Sequence, residues 1–513
     1  MTAAAGKARW AAGAGGWAAH LPPGTDPAAV DLLARRSLPA AWAKRWAAEP
    51  DRPVLHDVAA GWVTAGGLER ASTVVAGRLR RAGLRPGDRV LLCARTSTAL
   101  ATACCGALRA GGVVVPVNPA CTEREMTYVV ADAAPAVAVV DDAERAGWVR
   151  RADDRVITVV PRVDLPDAAP GALDEVAPDD PALLVYTSGT TGAPKGALLR
   201  HGNLLAGAEA VRLAWRWEPS DRLALPLPLF HVHGLVVGLF GTLLVGGSAL
   251  LQPRFDPAAV LAAAQGSEVT LLFGVPTMYA RLAAHERAGA LARLRLCVCG
   301  SAPLPPELYA RVERRCGQRL LDRYGMTETL MLASNPYDGQ RRPGTVGLPL
   351  PGVQIRLAGG GGGEVEVRGP NVFAGYWRRP EASAQAFTAD GWFRTGDLGE
   401  HDGAGYLRIV GRVKELVISG GFNVYPQEVE DVLRRHPGVA DVAVAGTPDP
   451  EWGEVVTAYV VADGAPDLDA LRAHAARELA PYKRPRIVHL VDALPRNALG
   501  KVQRHRLRPD RPT

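Results

Sequence analysis

The densest chemistry in the chain lies in Tyr186-Thr187-Ser188-Gly189-Thr190-Thr191-Gly192-Ala193-Pro194-Lys195-Gly196. The run follows Ala182-Leu183-Leu184-Val185, an apolar stretch that reads as a buried strand. Glycine lets the backbone turn sharply and bring its N–H groups close to a ligand, and successive N–H groups in such a turn form a concave anion site. Ser188, Thr190 and Thr191 add hydroxyl donors, and Lys195 adds a positive charge. The chemistry that fits is a cradle for a polyphosphate. A generic Gly/Ser/Thr run would be read as a surface loop; the strand before it and the lysine argue against that here. The spacing is not that of the GxxxxGKS/T loop, because the glycines and the lysine fall out of its register.

Other stretches carry reactive types. Leu227-Pro228-Leu229-Phe230-His231-Val232-His233-Gly234 ends an apolar run with two histidines, which on a strand would face the same side. With no carboxylate or cysteine beside them they make a poor zinc site and a better pocket lining. Phe273 to Arg281 reads as a strand end and a helix start, and Cys297 to Leu304 as a strand ending in a Gly-Ser turn. Arg323-Tyr324-Gly325-Met326-Thr327-Glu328-Thr329 supplies an aromatic platform, hydroxyls and one acid. A single acid beside a phosphate cradle suits Mg²⁺, which is held by one or two carboxylates plus phosphate oxygens and water. Phe393-Arg394-Thr395-Gly396-Asp397 places an acid after a strand, apt for ribose hydroxyls. Pro495 to Lys501 puts a lysine on a late loop, where a lone lysine is usually solvated.

The elements that must position these groups follow from periodicity. Residues 46–175 alternate helix and strand patterns: helix Leu68–Ala82, strand Arg89–Cys93, helix Ala99–Arg109, then strands at Val113–Val117 and Val137–Val140. Residues 182–340 repeat the theme. The alternation predicts parallel sheets covered by helices, with ligands at the carboxyl ends of the strands. From Gly344 short strands separated by Gly and Pro predict a small β-subdomain. After Arg412 comes a compact α+β pattern. The fold class is therefore α/β: a large N-terminal domain of two αβ sheet subdomains plus a small β-subdomain, residues 46–411, and a smaller mobile α+β C-terminal domain, residues 412–513. Residues 1–45, rich in Ala, Gly and Trp, are expected to be a poorly ordered extension.

The chain has 513 residues, 48% hydrophobic and 22% charged, a soluble-globular balance for more than one domain. A net charge of +6 spread over scattered arginines suits anionic small molecules and forms no nucleic-acid stripe. The seven cysteines include no CxxC pair, and their usage fits a reducing, cytoplasmic location. Leu223 to Pro253 carries no formal charge, but its glycines and prolines predict a buried helix and strand rather than a membrane span.

Together these motifs resemble the adenylate-forming superfamily of acyl-CoA synthetases, non-ribosomal adenylation domains and luciferases, in order over roughly residues 50–508. Within it the chain looks most like malonyl-CoA synthetases, through Leu227–Leu235, Leu272–Tyr279, Arg323–Met331, Asn335–Gly339, Gly344–Gly347 and Gly420-Gly421-Phe422-Asn423-Val424-Tyr425-Pro426. Gly61–Glu69 departs from the family's usual Thr-Tyr-x-Glu-Leu at the first helix.

The resemblance implies ATP and Mg²⁺ at the site, with CoA as co-substrate. Thr187, Ser188, Gly189, Thr190, Thr191 and Lys195 would hold the ATP phosphates. Thr327 and Glu328 would touch the α-phosphate and Mg²⁺, with Thr191 a further metal contact. Tyr324 would stack near adenine, Asp397 would hold the ribose, and Arg412 would support it. Lys501 would reach the carboxylate–α-phosphate junction, and His231 would lie at the acyl/CoA boundary. Arg281 and Ser301, with His233 nearby, would bind the far carboxylate of a diacid. Lys414 would be the hinge, and Gly420, Gly421 and Phe422 would line the pantetheine tunnel. The implied reaction is malonate–CoA ligation through malonyl-AMP. The alternatives are methylmalonate or another short acid, or loading of a carrier protein. The expected partners are these small molecules and a lysine acetyltransferase acting on Lys501, without nucleic acid or membrane.

Overall fold

The computed structural model describes residues 16–159, 163–187, 194–266, 268–359, 362–419, 422–464, 467–497 and 500–507. Two large sheets dominate it. One has seven strands, in the order Gly375–Tyr376, Lys195–Arg200, Pro181–Thr187, Val113–Pro116, Arg89–Cys93, Val137–Val140 and Ile157–Val159. From Pro181–Thr187 onward it is parallel. Its inner strands Val113–Pro116 and Val137–Val140 are buried at every residue, as parallel strands covered on both faces must be.

The other sheet has nine strands: Leu348–Pro349, Leu330–Ser334, Leu321–Met326, Leu296–Cys299, Leu271–Gly274, Arg222–Leu225, Ser248–Leu251, Pro53–Asp57 and Gly61–Thr64. Its six middle strands are parallel, and an antiparallel hairpin flanks them at Leu321–Met326 and Leu330–Ser334. One apolar core takes side chains from both sheets and from helices Leu38–Ala48, Ala65–Arg81, Thr98–Arg109 and His201–Ala214. The helices start where side chains satisfy their free N–H groups. Ser97 Oγ accepts from Leu100 N, and Thr122 and Glu125 form a reciprocal capping box.

A four-stranded antiparallel sheet, Gln354–Leu357, Gly363–Arg368, Phe393–His401 and Leu407–Arg412, follows. The last unit is a five-stranded sheet of Phe422–Val424, Val417–Ser419, Gly453–Ala462, Val439–Asp449 and Ile487–Leu490, packed on helices Pro426–Arg434 and Leu468–Glu478. Its late loop returns to the large part of the molecule. Gly500, at φ +75°, lies so close to helix Pro276–Ala284 that a Cβ there would stand 2.9 Å from Thr277 Oγ1.

Three expectations need correcting. Residues 16–45 are packed, not loose. Trp17, Leu21, Leu32 and Trp42 are buried, and Arg216 donates to the carbonyls of His20 and Leu21 at 2.6 and 2.7 Å. The alanine-rich composition hid the tryptophans that anchor this segment. His231 and His233 are not on a strand. The strand stops at Leu225, before Pro226 and Pro228, and His233 opens a π-helical segment, His233–Phe240. Asp397 does not follow a strand but lies within Phe393–His401. Among the described residues no helix is long and apolar enough to cross a membrane.

Trp42 is fully buried, with ring centroids 6.0 Å from Trp46 and 5.1 Å from Phe240. Trp42→Ala is expected to lower unfolding stability by about 3–5 kcal/mol, read as a shift in the urea midpoint with an unchanged slope.

Candidate active site

The polyphosphate run begins and ends on paired strands. Thr187 is opposite Lys195, and Tyr186 is opposite Gly196. Ser188, Gly189, Thr190 and Thr191 lie outside the described residues, as do Gly420 and Gly421. What surrounds the run is described. Tyr186 OH donates to Asp132 at 2.7 Å, Arg379 pairs with the same carboxylate at 3.0 Å, and Tyr128 OH donates to the carbonyl of Pro194 at 2.7 Å. These bonds fix both ends of the run on the first sheet. Lys195 is half-buried, its ammonium 5.2 Å from the centre of the Tyr376 ring.

Glu328 comes from the second sheet. It lies in the turn between Leu321–Met326 and Leu330–Ser334. Gly325 makes the turn possible, because a Cβ there would stand 2.0 Å from the carbonyl oxygen of Leu330. The Glu328 side chain is buried, and burial pushes its carboxyl above the usual range. It accepts a hydrogen bond from Tyr376 OH at 3.1 Å. One buried acid that accepts from Tyr376 and from its own backbone N–H keeps lone pairs for a cation, and the donor set fits Mg²⁺. Thr327 is half-buried beside it.

A second carboxylate joins three parts of the chain. Asp397, buried, accepts from Tyr324 OH at 2.6 Å and pairs with Arg412 Nε at 2.9 Å. Lys501 is near enough to feel both. Its ammonium is pushed down to about 8, chiefly by burial and next by Arg412, while Asp397 and Glu415 pull the other way. Asn497 holds the loop, its Oδ1 accepting from Lys501 N at 2.9 Å.

A third group lies at the ends of the middle strands. Ser301, at φ +70°, turns the chain after Leu296–Cys299. Its Oγ accepts from Arg323 at 3.1 Å and is 3.2 Å from His233 Nδ1. Arg323 and His233 are 3% and 2% exposed, so neither charge nor polar atom can be satisfied by bulk water. Arg323 Nε and His233 Nε2 are buried without a partner among the described residues. Burial holds His233 neutral, well below the usual histidine range, and lowers Arg323 only to about 10, which leaves it charged. Neighbouring Asp322 is pushed up to about 8 by burial, so near neutral pH it does little to cancel that charge. His231 is also held neutral, lowered to about 4 by burial, with Nε2 unpartnered among the described residues.

The structure pairs Ser301 with Arg323, not with Arg281. Arg281 is exposed on helix Pro276–Ala284, its guanidinium 5.0 Å over the Phe255 ring. Arg323 and Tyr376 are the residues that sequence reasoning passed over. Arg323 stood in a motif noted for its tyrosine and acid, and nothing local marked it as buried. Tyr376 carried no signal beyond its type. Lys414 is exposed in the single turn Val413–Glu415 after Arg412, and Phe422 is exposed, stacked 4.7 Å from Tyr482.

Two largely parallel αβ sheets, a Gly/Ser/Thr-rich run between paired strands and a buried acid near a lysine from a separate C-terminal unit are the arrangement expected of an enzyme that activates acids with a nucleotide. Comparison with known proteins gives the family. The chain belongs to the AMP-binding enzymes: residues 42–377 match that family's model and residues 428–501 match the model of the AMP-binding enzyme C-terminal domain. It is 39% identical over 509 residues to the sulfoacetate–CoA ligase of Cupriavidus necator, covering 94% of this chain and 98% of the relative. It is 41% identical over 456 residues to a feruloyl-CoA synthase of Amycolatopsis, covering 86% and 92%. Among solved structures it is similar to a malonyl-CoA ligase complex with methylmalonyl-CoA and AMP, with 43% identity, a TM-score of 0.65 and coverage of 87% and 97%. The chain is an AMP-forming acid–thiol ligase, an acyl-CoA synthetase.

The lowered lysine can be read directly. Modification of Lys501 by a small acylating reagent, followed by peptide mass spectrometry, is expected to rise through a midpoint near the value of about 8 set by burial. An exposed lysine would give about 10.4, and a midpoint there would mean that Lys501 is solvated.

Proposed function

We propose that the protein is an ATP-dependent malonate–CoA ligase that works through malonyl-AMP. The observation that carries this reading is the pair of buried nitrogens without a partner among the described residues, Arg323 Nε and His233 Nε2, beside Ser301. In the tautomer of neutral His233 whose Nδ1 accepts from the Ser301 hydroxyl, Nε2 carries the proton and needs an acceptor. A charged guanidinium and an N–H, both dry, suit an anion brought by the substrate. A monocarboxylic acid would leave them unpaired once its own carboxylate turned to ATP. A short diacid would not. Arg281 remains an outer candidate for the same carboxylate. The similarity to a sulfoacetate–CoA ligase favours a second reading, a short acid with a sulfonate in place of the second carboxylate.

The proposed reaction runs in two steps, with the residue roles that the family resemblance implies. One malonate carboxylate attacks the α-phosphorus of ATP; an O–P bond forms, the bond to the β-phosphate bridge breaks, and pyrophosphate leaves. Thr187, Ser188, Gly189, Thr190, Thr191 and Lys195 hold the β,γ-phosphates, and Thr327 the α-phosphate. Tyr324 faces the adenine side, and Asp397, supported by Arg412, the ribose. Mg²⁺, held by Glu328 with Thr191 as a further contact, would offset phosphate charge when bound. Lys501, in its ammonium form below about pH 8, stabilises the oxygens around the α-phosphorus. The CoA thiolate then attacks the acyl carbon, a C–S bond forms and AMP leaves. His231 lies at that boundary, and the unit after Arg412 turns about Lys414 to bring Gly420, Gly421 and Phe422 to the pantetheine.

Pyrophosphate release with a panel of mono- and diacids and sulfoacetate, with and without CoA, tests the substrate. Malonate is expected to lead, with pyrophosphate appearing before any thioester. Arg323→Gln should lower kcat/KM for malonate by roughly two to three and a half decades, the cost of a broken buried charge pair. Acetate should change less than about tenfold. Equal loss for both acids would remove the diacid reading. Separately, Lys501→Ala is expected to abolish malonyl-AMP formation yet leave CoA attack on supplied malonyl-AMP, measured as thioester by chromatography. Equal loss of both steps would sink the division of roles.

A further inference from the structure

Tyr376 belongs to none of the roles above, yet it touches two of the groups that carry them. Its hydroxyl donates to Glu328 at 3.1 Å, and the Lys195 ammonium lies 5.2 Å from its ring centre, within cation–π range. The two contacts use different parts of one side chain. The lysine ends the phosphate run on the first sheet, whereas the acid sits in a turn of the second.

The backbone around Tyr376 is tied to both. Gly375–Tyr376 pairs with Leu198 and Ala197 of the strand that begins at Lys195. Trp377 N donates to the carbonyl of Gly196 at 2.8 Å, and Phe373 N donates to that of Glu328 at 2.8 Å. Tyr376 N donates to Ser383 Oγ at 2.8 Å, and its ring meets Phe373 edge-on at 4.9 Å. The ring is thus held from several sides and has little freedom to follow its neighbours. A phenol fixed in this way orients one oxygen of the carboxylate and leaves the other for a ligand.

We propose that Tyr376 is a positioning residue that sets the spacing between the phosphate lysine and the metal-binding acid, its hydroxyl orienting Glu328 and its ring holding Lys195. The proposal rests on the reading of Lys195 as a phosphate ligand and Glu328 as the Mg²⁺ acid. A structural hydrogen bond alone would affect ATP binding equally with and without metal. A positioning role makes the effect of the hydroxyl depend on Mg²⁺, because partners that orient metal ligands typically tune metal affinity about 10- to 100-fold.

Calorimetric titration of the full-length protein with ATP, in chelator and in excess Mg²⁺, separates these. Tyr376→Phe keeps the ring and is expected to bind ATP in chelator as the parent does, while the tightening produced by Mg²⁺ falls roughly 10-fold. Tyr376→Leu loses the ring as well, and its ATP binding in chelator should weaken a further 2- to 5-fold, about the worth of an exposed cation–π contact. Unchanged Mg²⁺ tightening in Tyr376→Phe, or equal weakening in both conditions, overturns the proposal. Glu328→Gln distinguishes the underlying reading. If it keeps the full tightening, or if the parent shows none, the assignment of Glu328 falls and the proposal with it. If it loses the tightening and Tyr376→Phe does not, the tyrosine proposal alone is wrong. Thermal melts of each variant separate loss of folding from loss of binding.

Discussion

Asp397 accepts from Tyr324 at 2.6 Å and pairs with Arg412 at 2.9 Å, and through this carboxylate three parts of the chain meet. Tyr324 lies in a strand of the nine-stranded sheet, Asp397 lies inside the four-stranded sheet, and Arg412 is the last residue of that sheet before the C-terminal unit. A buried carboxylate cannot be left without partners, since desolvation costs several kcal/mol per ion before pairing. The orientation of the four-stranded sheet is therefore tied to the large sheet at one point. The start of the last unit is tied there as well. Lys501 senses the same cluster from the far end of that unit. Removing the carboxylate would leave Arg412 without its ion-pair partner and would free Tyr324, so the Tyr324 side of the cleft and the route to the C-terminal unit would loosen together.

The cleft concentrates charge where water is scarce. Glu328 and Arg323 are nearly inaccessible, and burial moves each toward its neutral form. The two are offset differently. Glu328 accepts from a phenol, whereas Arg323 donates to one hydroxyl and keeps a buried Nε without a partner among the described residues. An unpaired buried donor costs roughly 1–3 kcal/mol. Unpartnered buried atoms also occur away from the cleft, at Trp42 Nε1, His201 and Arg80 Nε among others; the Ser301 cluster differs in setting a charged guanidinium beside a neutral histidine at the end of a sheet strand. Arg109, equally buried, is saturated by Asp174, Glu69, Ser72 and Thr73 and reads as structural.

Much of the architecture was legible in the chain. The strands Arg89–Cys93 and Val137–Val140 and the α+β pattern after Arg412 announce themselves through apolar runs bounded by Gly and Pro. The residues with a type suited to phosphate, metal or ribose could be named because local motifs hold them. What could not be read depended on tertiary burial. Arg323 and Arg281 are both arginines near apolar runs, and only packing shows that one is dry against Ser301 and the other lies in solvent over Phe255. Pro226 and Pro228 were in view, but the short π-helical segment that carries His233 has no periodic signature. Trp17 and Trp42 were discounted because their surroundings are mostly alanine and glycine, where a sparse anchor looks like noise.

Gly500 closes the cleft against Thr277 with no side chain of its own, in a left-handed backbone conformation that a bulkier residue would resist. A contact made by bare backbone fits by shape and grips nothing. At Gly500 the loop can therefore part from the helix without drawing an anchor out of a pocket, and Lys501 is the side chain left to be withdrawn and reseated. If Lys501 serves one of two steps, as proposed, that makes the docking a revolving door rather than a latch.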